Sequence, residues 1–240
     1  MKENTYANNI HPILPYIMKS EEVSVETFKT IRSYFPYVDN TMLHHILPTI
    51  LTGNFVKASF FIEQNLKNDN YTFNKFHGLA LSAKSEASFK DIQKRNTTKM
   101  AQGVGKFNPM HCSCINPNLE VMKFMFTLNP DFNVKDEEGR KPVHYAACSS
   151  AVGNLKYMVE NSVDTRDIDS KKKTPLMYAS EAGRVENVKL LLEPGRSLVS
   201  VKDKTGHNAI HYAAMAGNTE IVKLIVDTGE VKINLPGPGR

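Results

Sequence analysis

The chain has 240 residues, 41% of them hydrophobic and 23% charged, with a formal net charge of +5, a balance that excludes a disordered chain and suffices for a sizeable core. The basic excess, with a pI near 8.9, favours acidic partners but falls short of a dedicated nucleic-acid binder. No apolar run approaches the roughly 18 residues of a membrane span, the first residues lack a secretory core, and Cys112, Cys114 and Cys148 form neither a C-x-x-C pair nor an even disulfide set, which points to a reducing, intracellular compartment.

Taken in order, the chain repeats a histidine at fixed spacing. His11, His44, His77, His111, His144, Met177 in a histidine's place, and His211 follow one another at offsets of 33 or 34 residues. That period predicts seven stacked supersecondary units. In the first, a short helix over 10–18 is broken by Pro12 and Pro15, and a second over 25–35 carries Phe28, Ile31 and Phe35 on one face, with Ser24 as its cap and Pro36 beyond its end. Residues 54–64 form an amphipathic helix with Phe55, Phe60, Phe61 and Ile62. Between His77 and Asn108 the pattern is weakest: helices are expected over 79–82 and 87–95, and a loop over 96–105.

From residue 108 the units match in their interiors, at 108–140, 141–173, 174–207 and 208–237, with a tail at 238–240. Lys141-Pro142-Val143-His144-Tyr145-Ala146-Ala147 is echoed by Thr174-Pro175-Leu176-Met177-Tyr178-Ala179-Ser180 and by Asn208-Ala209-Ile210-His211-Tyr212-Ala213-Ala214. Thr174 and Asn208 can offer side-chain oxygens to the free amides of a first helical turn. Pro142 and Pro175 then stand where a missing amide costs nothing, and the small residues that follow let helices approach closely. Gly183 and Gly217 end the first helix and Gly195 and Gly229 the second. The second helices centre on Met122 to Phe126, Leu155 to Val159, Val188 to Leu192 and Ile221 to Val226. Turns at 136–139 and 203–206 predict projecting fingers. Two positions depart from the pattern: Pro117 replaces a helix-ending glycine, and Lys172 replaces the finger glycine, at an expected cost to finger regularity. The last second helix is apolar where a capping unit would be polar, so either the chain continues past Arg240 or another protein covers this end.

The phrase T-P-L-H-x-A at this period resembles the ankyrin repeat, closely over 108–237 and loosely over 8–107. The resemblance implies an all-α solenoid of about seven helix-turn-helix units with short hairpin fingers, the first three degenerate. It implies a structural histidine, hydrogen-bonding between repeats. A shared metal is excluded by the roughly 10 Å between packed helices, and the cysteines read as small buried residues.

The resemblance also places Tyr145, Tyr178 and Tyr212 in a column lining a concave groove, with Glu181 and Met215 sharing their face. Amphipathic tyrosines suit interface anchors, and they equally suit the framework. The finger tips carry Arg140, Lys141, Lys171, Lys172, Lys173, Lys202, Lys204 and His207 among Asp136, Glu137, Glu138, Asp167, Asp169 and Asp203. Such a ridge can engage an acidic tail, a phosphorylated segment or lipid head groups, or is simply solvated. No P-loop, G-x-S-x-G or H-E-x-x-H is present, so the chain reads as a non-enzyme without cofactor or metal. The expected function is a protein-interaction scaffold or adaptor in a larger cytoplasmic assembly, cytoskeletal or ciliary (axonemal). The alternative is the regulatory or substrate-recruiting arm of a longer enzyme or channel.

Overall fold

The structure is a computed structural model that describes residues 80, 108–128, 131–136 and 138–231. Apart from Ala80, the helices, loop and repeat units expected before residue 108 lie outside the described residues, as does the tail at 238–240. Among the described residues there are eight helices and no strand. They fall into two compact units, 1–130 and 131–240.

In the first unit, α1 (Pro109–Ser113) packs on α2 (Leu119–Thr127). Asn108 caps α1, its side-chain oxygen accepting from the amides of Met110 and His111 at 3.0 and 3.2 Å, which satisfies two of the donors a helix start leaves free. Asn118 caps α2 in the same way through Glu120 N. Asn116 is buried and donates to the carbonyl of Ala80 at 3.0 Å.

The second unit holds three helix pairs: α3 (Pro142–Cys148) with α4 (Val152–Glu160), α5 (Pro175–Glu181) with α6 (Val185–Leu191), and α7 (Ala209–Met215) with α8 (Thr219–Asp227). Helix α5 packs between α3 and α7, and α6 between α4 and α8, so first and second helices form separate layers. Ala146, Ala147, Ala179 and Ala213 are fully buried where the first helices meet. Leu155, Met158, Val188, Leu191, Ile221 and Ile225 are fully buried as well. Each large side chain of that set contributes roughly 1.5–3 kcal/mol by leaving water.

Such short first helices survive because neighbours satisfy their ends. The Asn187 amide of α6 donates to the carbonyls of Ala146, Ala147 and Ser149 at 3.3, 2.9 and 2.9 Å. Arg184 Nε reaches the Cys148 carbonyl at 3.0 Å. One repeat thus terminates the helix of the repeat before it.

The repeated histidine closes the start of its own unit's first helix. Nδ1 of His111, His144 and His211 accepts the amide of the residue three before it, Asn108, Lys141 or Asn208, at 3.1, 3.0 and 3.3 Å. Met177 Sδ replaces it, accepting from Thr174 N at 3.4 Å. At His144 the expected hydrogen bond between repeats is not formed, since its buried Nε2 has no hydrogen-bond partner. Between units, the His144 ring instead meets Tyr178 edge-on, with centroids 5.7 Å apart. Thr174 caps as anticipated, through Met177 N at 3.2 Å, whereas the Asn208 side chain caps no amide of its helix.

Each finger closes on an aspartate. Asp136 N donates to Arg140 O, Asp169 N to Lys173 O and Asp203 N to His207 O at 3.0, 3.0 and 2.8 Å. Neighbouring fingers join through Ser170 N to Glu138 O and Lys204 N to Lys171 O, both at 2.9 Å. Lys172, contrary to expectation, leaves the turn regular: Lys172 N reaches Asp169 O at 3.0 Å, as Gly139 N reaches Asp136 O. The cost falls on its backbone, held at φ +61°, a region that disfavours a residue with a Cβ by about 1–2 kcal/mol.

Gly139 and Gly206 occupy the same turn position but face different surroundings. At Gly139, φ is +75° and an added Cβ would stand 2.5 Å from Ser170 Oγ and 2.8 Å from Ser170 N; at Gly206, φ is +86° with nothing within 4 Å. Gly139→Ala is expected to cost about 2–3 kcal/mol, since strain and collision add, and Gly206→Ala about 1 kcal/mol from strain alone. Paired urea titrations read this difference; equal losses would mean the finger contact yields freely.

Candidate protein-interaction surface

The surface begins with one carboxylate per finger. Asp136 Oδ1 accepts from the amides of Glu138 and Arg140 at 2.9 and 2.8 Å. Asp169 Oδ1 does the same for Lys171 and Lys173 at 2.8 and 2.7 Å, and Asp203 Oδ1 for Thr205 and His207 at 2.8 and 3.0 Å. The second oxygen of each takes a tyrosine hydroxyl nine residues on: Tyr145 at 2.5 Å, Tyr178 at 2.7 Å and Tyr212 at 2.5 Å. One side chain therefore shapes the finger and ties it to the first helix of its unit. Burial pushes all three phenols above their ordinary range, and the adjacent carboxylates reinforce the shift for Tyr178 and Tyr212. Partial burial would raise Asp203, but hydrogen bonds from Tyr212, Thr205 and the His207 amide outweigh it and hold that carboxyl below the usual range.

A cation from each finger sits against this column. Arg140 Nε pairs with Asp136 at 2.7 Å, and its guanidinium lies 5.4 Å from the Tyr145 ring centre. Lys173 Nζ lies 4.6 Å from the Tyr178 ring and 4.1 Å from that of Tyr212, and binds Glu181 at 2.5 Å. Lys173 thus joins two repeats through cation–π contact. His207 packs edge-on against Tyr212 with centroids 6.1 Å apart.

The structure separates the sequence candidates. Tyr145 is 0% and Tyr178 7% exposed, so they are corrected from interface anchors to framework; their hydroxyls are committed to Asp136 and Asp169. Arg140 is likewise no finger tip: it is 7% exposed and held by Asp136. Tyr212 is half-buried, Glu181 is exposed but paired with Lys173, and Met215 is 63% exposed. Lys171, Lys172 and Lys204 stand exposed on neighbouring fingers, with Lys171 bound to Glu138 at 2.9 Å. Asp136, Asp169 and Asp203 are buried rather than solvated, and with Lys173 they form a framework set that the sequence reading did not group together. Their signal was available in the constant nine-residue interval to each tyrosine.

The remaining chemistry is quiet. Burial pushes the Cys148 thiol up to about 12 and raises Cys112 as well, so neither is a ready thiolate. No helix of the described residues is long and apolar enough to cross a membrane.

Comparison with protein families agrees with this architecture. The family described as "Ankyrin repeats (3 copies)" matches residues 79–169 and again 110–201, and that described as "Ankyrin repeat" matches residues 205–237. Compared with curated proteins, the chain matches none. Ankyrin repeats generally mediate protein–protein interaction. With the matched segments covering more than half of its length, and with capped helix pairs and linked fingers where they fall, the chain belongs to the ankyrin-repeat family.

Proposed function

We propose that the chain is an adaptor that holds a protein partner on the exposed face of α7 and the adjoining exposed end of α5 at Glu181, within a larger intracellular assembly of the cytoskeletal or axonemal kind. The observation that carries this reading is Met215. It occupies the position that is Cys148 in α3 and Glu181 in α5, three residues beyond each column tyrosine, and it is 63% exposed. A large flexible apolar side chain, flanked by half-buried Tyr212 and by the Lys173–Glu181 pair, suits the apolar centre and polar rim of an interface.

Met215→Glu tests the reading without threatening the fold, because the side chain is already in water. Partners crosslinked to the full chain and recovered in cells should fall by at least about tenfold with Met215→Glu and persist with Met215→Leu. Equal recovery of the same partners with Met215→Glu would overturn the assignment of this face. The thermal midpoint of both variants should stay at the wild-type value.

A further inference from the structure

Most finger cations spend their charge inside the protein. Lys135 and Lys141 pair with Asp167, Lys171 with Glu138, Arg140 with Asp136 and Lys173 with Glu181. Among the described residues three exposed finger cations, Lys172, Lys202 and Lys204, have no ion pair. The carboxylates nearest to them in sequence, Asp169 and Asp203, are buried and engaged by tyrosines and turn amides. The surplus is also held in place. Lys204 N bonds to Lys171 O at 2.9 Å, so Lys172 and Lys204 belong to adjoining tips with fixed backbones.

Lys172 adds an independent observation. The equivalent turn position is Gly139 in the preceding finger and Gly206 in the following one, both at positive φ. A lysine held at φ +61° keeps a strained backbone where glycine would relax it, and strain of this kind collects at binding and switching positions. Its charge is the one thing the lysine adds to that turn.

We propose that Lys172, Lys202 and Lys204 form a docking strip for an extended, carboxylate-rich segment of the protein partner. The inference rests on the adaptor reading and supplies its partner chemistry. An extended segment places alternate side chains about 6.6 Å apart on one side, so successive acidic residues can meet cations on adjoining fingers. Lysine presents a flexible point charge, which suits carboxylates that need no forked geometry. A flat anionic membrane would engage every finger alike, whereas among the described fingers the surplus is confined to two. Nucleic acid would call for a stacking ring, and Tyr212 is already committed to Asp203 and Lys173.

The test is fluorescence anisotropy of the full chain with a fluorescein-labelled peptide of alternating glutamate and serine, at low and at physiological salt. The triple variant Lys172→Gln, Lys202→Gln, Lys204→Gln should bind on the order of tenfold more weakly. A control of equal net charge, Lys156→Gln, Lys189→Gln, Lys223→Gln on the second helices, should change affinity by less than about twofold. Lys172→Gly should raise the thermal midpoint while weakening the peptide, a split that a merely structural lysine would not give. Equal losses in the two triple variants, absence of peptide binding, or tighter binding of phosphatidylserine vesicles or a single-stranded oligonucleotide would overturn the proposal. Failure here with Met215-dependent capture intact removes only the strip, while loss of that dependence removes the adaptor reading itself.

Discussion

Asp136→Ala is expected to lower stability by about 3–5 kcal/mol, the largest effect of any single side chain in the fingers. The carboxylate accepts four hydrogen bonds: from the amides of Glu138 and Arg140, from Arg140 Nε and from the Tyr145 hydroxyl. Arg140 and Tyr145 are both buried, so the truncation strips a buried guanidinium and a buried phenol of this acceptor at once. Removing one partner of a buried ion pair costs far more than the pair contributes over an apolar substitute. Tyr145→Phe is the informative contrast: Asp136 keeps Arg140 and both amides, and the loss should be about 1 kcal/mol. Urea unfolding followed by circular dichroism at the helical band separates the two. A loss near 1 kcal/mol for Asp136→Ala would mean that water replaces the carboxylate and that the finger is not the rigid link described above.

The comparison with the sequence turns on the same aspartates. The period of 33 or 34 residues located the starts of α3, α5 and α7 because capping and proline placement are local rules. The glycines that end helices were legible for the same reason, and Gly183 and Gly217 do stand at positive φ. The groove was harder. The repeat period put Tyr145, Tyr178 and Tyr212 at equivalent positions of successive units, but spacing carries no information on depth. The face sinks at α3, where Tyr145, Cys148 and Ser149 are buried, and surfaces at α7 with Met215. Charge was misread in a similar way. Asp136 and Arg140 look like solvated turn residues, and only their enclosure by the tyrosine, the turn amides and the neighbouring finger makes them core. Lys172 shows the opposite limit: the missing glycine was legible, yet hydrogen bonding kept the turn and moved the cost into φ.

The second large effect concerns acid. His144 is fully buried, its Nδ1 accepts the Lys141 amide at 3.0 Å, and its Nε2 has no hydrogen-bond partner. Burial disfavours the imidazolium and depresses the pKa to about 4, although Asp169 and Asp167 pull the other way. An unfolded histidine titrates near 6.5, so the unfolded chain takes up a proton at a pH where the native ring refuses it. Stability from this residue is therefore complete above about pH 6.5, declines as pH falls, and is lost by the time the native ring protonates near pH 4. The full difference is on the order of 3 kcal/mol. His144→Met isolates it, because Met177 already fills the same position in the next unit, fully buried and accepting its cap amide through sulfur. Urea midpoints measured from pH 7 to pH 4 should fall more steeply for the wild type than for His144→Met, the two curves converging or crossing as acid is added. Parallel curves would show that the ring can turn to water or find an acceptor on protonation, and that its burial does not govern the acid response.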